Sequence, residues 1–501
     1  MTDDLHAKFR RSSFYILIQK LITPTLTFGV TIFLVRRLSV DDYGVFNIME
    51  ALMAYIGLFS SLGLLNIFKR FIPEFVQHGQ STEMRKLVFW GVAARGALVL
   101  IFLAICFIWA EPIGRLLRLE GYGDYLSYFA LAILFYLESQ LLGLALVSLF
   151  LHRSFALAQI IYTVLRSVLV VVLVLAGLNL QGLLIGESVA YGVLLVLQVW
   201  EYRKRALPDH PKMDTDRPFP MRRIGRFAGF AYFNEMGEQI LDVSTDFFII
   251  SAILGAESVG LYAFATRFMN LISRWLPHRL LIDVITPTFY TRYSQEKSPE
   301  TLNTMFNFLN KMVGFFIFPL TLYLVLMGDK IISLIYSEKY LAALTVFAIA
   351  ASFQALNAFE MPLGLVVQAM ERVEIHLYSK VFSVYNLVGN LLVIRHWGIE
   401  GVALVTCSAI LFKNVFTYFT IRRHVAIHLD GKPLFRILRN TVFLAPLVWL
   451  AHPLITNLLL LILGSLGLAA AYLVIAALLP VFTAEERDQL NRFLPKPWFV
   501  F

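Results

Sequence analysis

Apolar stretches of about 18–25 residues recur from one end of this chain to the other, each long enough to cross a hydrocarbon core of roughly 30 Å. Inside lipid a peptide group finds no water. Such stretches must therefore satisfy their own backbone and fold as helices. The expected fold class is all-α integral membrane, with about 14 transmembrane helices. The expected spans are 13–35, 43–66, 87–110, 125–150, 155–178, 180–201, 228–253, 258–280, 304–327, 341–369, 376–395, 398–421, 437–453 and 456–480. Composition agrees: 58% hydrophobic and 15% charged, against roughly 45–50% and 25% in soluble domains, leaves no soluble domain of any size.

The net charge of +9 does not mark a nucleic-acid binder, because the basic residues lie between spans rather than along one face. They read as topology signals. With the N-terminus inside, one side collects about thirty Lys and Arg. The other side has only Arg36, Arg37, Arg115, Arg118, Lys330, Lys339 and Arg395. Both termini are therefore expected in the cytoplasm. The segment Ser13–Val35 is too long for a cleavable signal and reads as the first span. The tail Glu485–Phe501 is expected on the cytoplasmic surface. Cys106 and Cys407 fall inside spans and supply neither a disulfide framework nor a metal spacing.

The chain also repeats itself at a spacing of roughly 216 residues, the signature of a duplicated bundle. Leu38-Ser-Val-Asp-Asp-Tyr-Gly44-Val-Phe46 matches Leu254-Gly-Ala-Glu-Ser-Val-Gly260-Leu-Tyr262. Pro73 matches Pro287, Tyr125 matches Tyr340, His152-Arg153 matches Glu371-Arg372, and Gln181-Gly182 matches Glu400-Gly401. The copies keep order and membrane side, so the repeat is parallel. The expected organisation is an N-lobe over 1–200 and a basic cytoplasmic linker over 201–227, rich in Arg, Lys and Pro. A C-lobe over 228–424 follows, then spans 13 and 14 with a short tail over 425–501.

Ionisable residues inside spans are costly, and by default they face a bundle interior or a wet cavity. The candidates are Lys20, Glu50, Arg95, Glu138, Arg166, Glu187, Glu235, Glu238, Asp242, Asp246, Arg267, Arg274, Glu360 and Lys413. Glu235, Glu238, Asp242 and Asp246 fall at i, i+3, i+7 and i+11, on one face if the seventh span is a continuous helix. Arg267, Asn270, Arg274 and His278 repeat those offsets on the eighth. Measured from the outer ends of the two spans, Asp246 and Arg267 lie roughly 10 and 13 Å deep, and Glu238 and Arg274 roughly 23–24 Å. Two readings stand together. The charges pair to fix the two spans, or they line a cavity in which the cations hold an anionic ligand and a carboxylate carries H⁺ or Na⁺. Guanidinium forks match phosphate oxygens well. Lys20, beside Gln19 and Pro24, reads either as a snorkelling residue or as a cavity cation. His424 and His428 follow Arg422-Arg423 and read as a solvated span end.

Several motifs carry a family resemblance. The two L-x-x-x-x-x-G-x-aromatic loops resemble a mark of the multidrug/oligosaccharidyl-lipid/polysaccharide exporter superfamily. Arg70-Phe-Ile-Pro-Glu-Phe75, Ile331-Ile-Ser-Leu-Ile-Tyr-Ser-Glu-Lys-Tyr340 and Trp397-Gly-Ile-Glu-Gly-Val-Ala403, the last preceded by Asn386 and Asn390, are similar to its polysaccharide-exporter branch. The resemblance covers about residues 10–480. It implies a flippase carrying undecaprenyl-diphosphate-linked oligosaccharide, of the O-antigen or capsule-repeat type, to the outer leaflet of a bacterial inner membrane by alternating access. It implies no enzyme activity and no cofactor beyond H⁺ or Na⁺ coupling. Expected partners are the lipid-linked oligosaccharide and membrane lipids, with a polysaccharide polymerase and glycosyltransferases nearby; no nucleic acid is expected, and the chain is expected to act as a monomer. On this reading the substrate-binding cations are Lys20, Arg95, Arg267 and Arg274, and the coupling or charge-pair carboxylates are Glu235, Glu238, Asp242 and Asp246. The competing readings are a cation-coupled drug antiporter and a membrane-embedded glycan polymerase or ligase. The first would suit twelve spans, and the second a large outer loop. No G-x-x-x-x-G-K-[ST], G-x-S-x-G or H-E-x-x-H motif occurs.

Overall fold

In the computed structural model, residues 2–207, 220–280, 282–296, 298–372, 374–491 and 500–501 are described. Among them there are helices and turns and no strand. The chain divides into two compact units, Met1–Gly260 and Leu261–Phe501. The first holds α1 (Thr2–Arg37), α2 (Val40–Ser61), α3 (Leu64–Gln77), α4 (Ser81–Ile108), α5 (Ala110–Leu117), α6 (Tyr122–Ser148), α7 (His152–Leu173), α8 (Asn179–Glu201), α9 (Met221–Leu241) and α10 (Val243–Leu254). Helix α11 (Ala256–Trp275) begins in the first unit and runs into the second. The second unit continues with α12 (Pro277–Leu280), α13 (Ile282–Glu296), α14 (Pro299–Ile331), α15 (Leu344–Asn357), α16 (Glu360–Ala369), α17 (Glu374–Ser379), α18 (Val381–Arg422), α19 (Gly431–Ala451), α20 (Leu458–Leu478) and α21 (Ala484–Asn491).

Ten helical stretches among the described residues are long and apolar enough to cross a membrane. Two of them are hairpins. His152–Ala206 reverses at Gly177 (φ 90°) and Asn179 (φ 42°), and Glu374–Arg422 at Gly398 (φ 55°). Positive-φ backbone of this kind is cheap for glycine and tolerated by asparagine. Ten stretches, two of them double, are long enough for twelve crossings. The expected seventh and eighth spans, α9–α10 and α11, lie outside that set, and α10 is a shorter apolar helix of 12 residues.

Five expected spans are interrupted, the second of them at Leu62 and Gly63 between α2 and α3. The seventh is not the continuous helix expected over 228–253. Asp242 is extended (φ −76°, ψ 149°) and caps α10, accepting the Ser244 amide at 2.9 Å. An Asp followed two residues on by Ser offers the backbone a capping turn that competes with the helix. The eighth breaks at Leu276, just before Pro277, in keeping with the restriction that proline places on its predecessor. The tenth breaks near Ala358, and the eleventh at Lys380.

The faces of the spans sort as a bilayer requires. α20 is apolar all round and mostly exposed, with Leu459 and Leu466 bare. Such a helix is at home only in lipid. On α4, Phe89, Trp90, Ile101, Ile105 and Ile108 form an exposed stripe, while Val99 and Leu103 on the opposite side are buried. α3 is strongly amphipathic. Phe68, Phe71, Ile72 and Phe75 bury against Leu141, Leu142 and Ala145 of α6. The second unit holds a similar apolar cluster of Phe289, Leu302, Phe306, Leu363, Val366 and Ile421.

The repeat has a physical basis in close approach. A Cβ on Gly44 would fall on the Ala256 carbonyl, and one on Gly260 on the Val40 carbonyl. The two glycines matched in the sequence thus let the start of α2 and the start of α11 touch backbone to backbone, each copy of the motif seated on the other. Gly182 and Gly401 are likewise equivalent. Each follows a left-handed reversal, and an added Cβ would meet the helix before it, at 2.9 Å from Leu178 Cβ and 2.7 Å from Trp397 Cβ. The second hairpin is also stitched across by Thr406, which donates to Asn386 at 2.9 Å, with Asn390 donating to both.

A backbone carbonyl cannot step aside as a side chain can. Gly44→Ala and Gly260→Ala are therefore expected to cost at least the roughly 3 kcal/mol at the upper end of ordinary overpacking. Gly79→Ala, with open space around it but φ 68°, should cost only about 1 kcal/mol of backbone strain. Thermal unfolding of the three purified variants checks the order.

Candidate functional site

The charges singled out in the sequence resolve into separate buried clusters. Arg95 of α4 is 1% exposed. Its guanidinium donates to the Leu137 carbonyl at 3.0 Å and to Gln140 Oε1 at 2.9 Å, both on α6. Glu138 is buried on the same helix, and neither of its oxygens has a hydrogen-bond partner. Gly57 leaves the room that Arg95 and Leu137 fill. In this conformation Arg95 ties α4 to α6, with two of its nitrogens committed to protein.

Arg166 of α7 and Glu187 of α8 form a second cluster. Arg166 Nε donates to Glu187 Oε1 at 2.7 Å, and its Nη2 reaches the same oxygen. Tyr162 stacks on Tyr191 at 5.0 Å between ring centroids, and Tyr136 lies 4.9 Å from Tyr191. This aromatic wall makes the pair a clamp between α7 and α8.

The third cluster surrounds α9 and α10. Glu235 accepts from Ser61 Oγ and Asn66 Nδ2, both at 2.7 Å. It also lies within electrostatic reach of Arg95. Asn234 donates to Glu238 at 3.1 Å. The Tyr55 and Thr245 hydroxyls bond at 2.5 Å. The four carboxylates expected on one face do not share one. Glu235 is half-buried, Glu238 and Asp242 are exposed, and Asp246 is 0% exposed. The extended residue at 242 resets the helical phase, so i, i+3, i+7, i+11 spacing no longer means a common side.

On α11 the helix is unbroken through Arg267 and Arg274, so their i, i+7 relation holds. Arg267 is half-buried and Arg274 exposed. His278 lies beyond the break at Leu276, off that helix. Lys20 sits half-buried on α1 one turn before Thr23, whose hydroxyl is 3.4 Å from that of Thr163 on α7. Glu360 and Lys413 pair with each other in the second unit.

Three pairings escaped the sequence. Lys311 of α14, 7% exposed, donates to both Glu486 oxygens at 2.7 Å. It lies over the Phe482 ring at 5.4 Å. Glu486 is held by Thr483, whose amide it accepts at 2.8 Å. The tail expected on the surface is thus pinned to a membrane helix, with Phe501 against Phe315 at 5.8 Å. His452 pairs with Asp329 at 3.0 Å. Outside the spans, Arg223 of α9 forks onto Glu74 of α3. A lysine in an otherwise apolar span was the available signal for Lys311; its partner 175 residues away gave none. Among the described residues no group of three or more His, Cys, Asp or Glu is placed to hold a metal ion.

This arrangement is that of a polytopic helical membrane protein. The chain belongs to the family described as Polysaccharide biosynthesis protein, which it matches over residues 33–345. The resemblance to the polysaccharide-exporter branch read from its motifs is borne out. It is 23% identical to a protein named "Probable low-salt glycan biosynthesis flippase Agl15" from Haloferax volcanii, over 81% of this chain and 82% of that one. Its fold is similar to that of "Lipid II flippase MurJ, inward closed conformation", with TM-score 0.68, 13% identity, and 96% of this chain and 99% of that one covered. It is also similar to an inward-facing multidrug resistance MATE family transporter of the MOP superfamily, with TM-score 0.63, 14% identity, and 82% and 98% covered.

If the Arg166–Glu187 pair is a clamp, breaking it by Glu187→Gln strands a buried guanidinium and should cost roughly 3–5 kcal/mol, while Arg166→Met with Glu187→Leu should recover most of that. Denaturant unfolding in micelles reads both. The fork of Arg223 holds the Glu74 carboxyl below the usual carboxylate range. The link between α3 and α9 is then complete above that range and is lost as pH falls through the depressed value. Hydrogen exchange of α3 should rise on acidification in wild type, and be raised and pH-independent in Glu74→Gln.

Proposed function

We propose that the chain is a flippase that moves a lipid-linked glycan, carried on undecaprenyl diphosphate, from the cytoplasmic to the outer leaflet of a bacterial inner membrane. Alternating access is the proposed mode, with both termini cytoplasmic and the division into lobes at the basic linker. The observation that carries the reading is the union of family and charge. A member of a polysaccharide biosynthesis family keeps Arg267 and Arg274 on one side of a helix otherwise fit for a membrane. A diphosphate requires such donors, since charge-assisted forks are the strong hydrogen bonds available to it. Similarity over most of the chain to a protein named as a glycan biosynthesis flippase supports the same reading.

In the proposed mechanism Arg267 and Arg274 of the second unit are the diphosphate contacts, and Lys20 and Arg95 of the first unit are the further proposed substrate-binding cations. Asp246, enclosed on α10, and Asp242, at the hinge between α9 and α10, are the proposed coupling carboxylates for H⁺ or Na⁺, with Glu235 and Glu238 on the same broken span. A break in a membrane helix is a natural place for such a role, because half-helix ends expose backbone groups to an ion. Cation-coupled drug antiport is the second reading. The likeness in fold to a multidrug transporter favours it, and the family match weighs against it.

Deleting the gene should remove surface polysaccharide and pile up undecaprenyl-diphosphate-linked oligosaccharide in the inner leaflet, with rescue by wild type. Arg267→Ala and Arg274→Ala should insert normally and fail to rescue. Normal surface glycan in both variants sinks the diphosphate assignment. Normal glycan in the deletion strain, with new sensitivity to cationic drugs, turns the reading to antiport.

A further inference from the structure

The amphipathic helix α3 and the start of α9 enclose an open cavity of about 740 Å³ lined by Arg70, Arg222, Arg223, Arg226, Phe71 and Phe227. The volume falls within the roughly 300–1,000 Å³ of small-molecule sites. Its charge is one-sided. Arg223 is committed to Glu74. Among the described residues no ion pair involves Arg70, Arg222 or Arg226, and all three are exposed.

The guanidiniums are positioned by packing. Arg70 lies over Phe227 at 4.9 Å and beside Phe71 at 5.8 Å, and Arg223 lies over Phe71 at 5.2 Å. The two rings meet edge to face at 5.7 Å. Phe71 is itself rooted in the apolar cluster beneath α3. Cation–π stacking occupies the flat face of a guanidinium and leaves its N–H edge directed outward. Aromatic rings held in a core, with arginine edges projecting above them, make a cradle for an anion whose remaining part is apolar.

We propose that this cavity binds the phosphate or diphosphate headgroup of a membrane lipid. The single carboxylate beside the cavity, Glu74, is forked by Arg223 and also feels Arg70; the remaining guanidinium charge exceeds what a single monovalent ion needs and suits a phosphate group, which takes forked donors. The exposed Met221 at the rim gives an acyl or polyprenyl chain apolar contact. Two lipids share this chemistry: an anionic phospholipid and a polyprenyl diphosphate. The inference does not depend on the flippase reading, because binding is measured without translocation.

The test uses the full chain in phosphatidylcholine nanodiscs doped with phosphatidylglycerol or with undecaprenyl diphosphate, with retained lipid counted by native mass spectrometry. Wild type should retain doped lipid, and inorganic pyrophosphate should displace it. Arg70→Gln with Arg226→Gln should weaken retention roughly fivefold for each arginine, the ordinary worth of one basic residue at an anionic surface. Arg70→Lys with Arg226→Lys should keep part of it. Lys69→Gln, an exposed neighbour outside the cavity, should change nothing. Preference for undecaprenyl diphosphate supports a docking site for lipid-linked substrate, and equal retention supports a phospholipid site. Wild-type retention in the double glutamine variant at unchanged melting temperature overturns the proposal. So does an equal loss in Lys69→Gln.

Discussion

Inside a bilayer each backbone amide, carbonyl and charge must find its partner within the chain, because the solvent supplies none. That constraint is visible where the seventh expected span departs from a straight helix. At Asp242 the helix opens, and the aspartate accepts the Ser244 amide itself. Thr245 donates to the carbonyl of Gln239 across the same break. The hairpin at Gly398 is sealed further down by three polar side chains that bond one another. Arg95, Arg166 and Glu235 likewise each reach polar groups on a neighbouring helix, whereas buried Glu138 makes no hydrogen bond through either oxygen among the described residues.

A second demand on the fold is that two helices approach closely. Gly44 and Gly260 carry no side chain because each faces the backbone of the other copy. Each glycine at such a contact constrains both helices, since enlarging either one displaces the same crossing. The same holds on a smaller scale at Gly182 and Gly401, where a hairpin turns back on its own preceding helix.

Much of this was legible in the sequence because the information was local. Apolar run length gave the helices and the membrane, and the glycine–aromatic loops gave the family. The intramembrane residues Arg95, Arg166, Glu187 and Asp246 were recognisable as buried from their apolar neighbours. What could not be read was phase and partner. The spacing of Glu235, Glu238, Asp242 and Asp246 implied one face only while the helix was continuous, and one extended residue removed the implication. Lys311 with Glu486, and Glu74 with Arg223, pair across 175 and 149 residues, distances at which no periodicity carries a signal.

The pairing of Lys311 with Glu486 also bears on the order in which the protein is made. α14 enters the membrane while Glu486 is still unsynthesised, 175 residues behind it. At about 5–20 residues per second the ribosome takes roughly 10–35 s to supply that carboxylate. Through this interval a lysine bound for a buried site has no counterion of its own, and the insertion machinery or a lipid phosphate has to shelter it. Assembly of the second unit therefore waits on the helix that carries Glu486, which neutralises a charge installed much earlier.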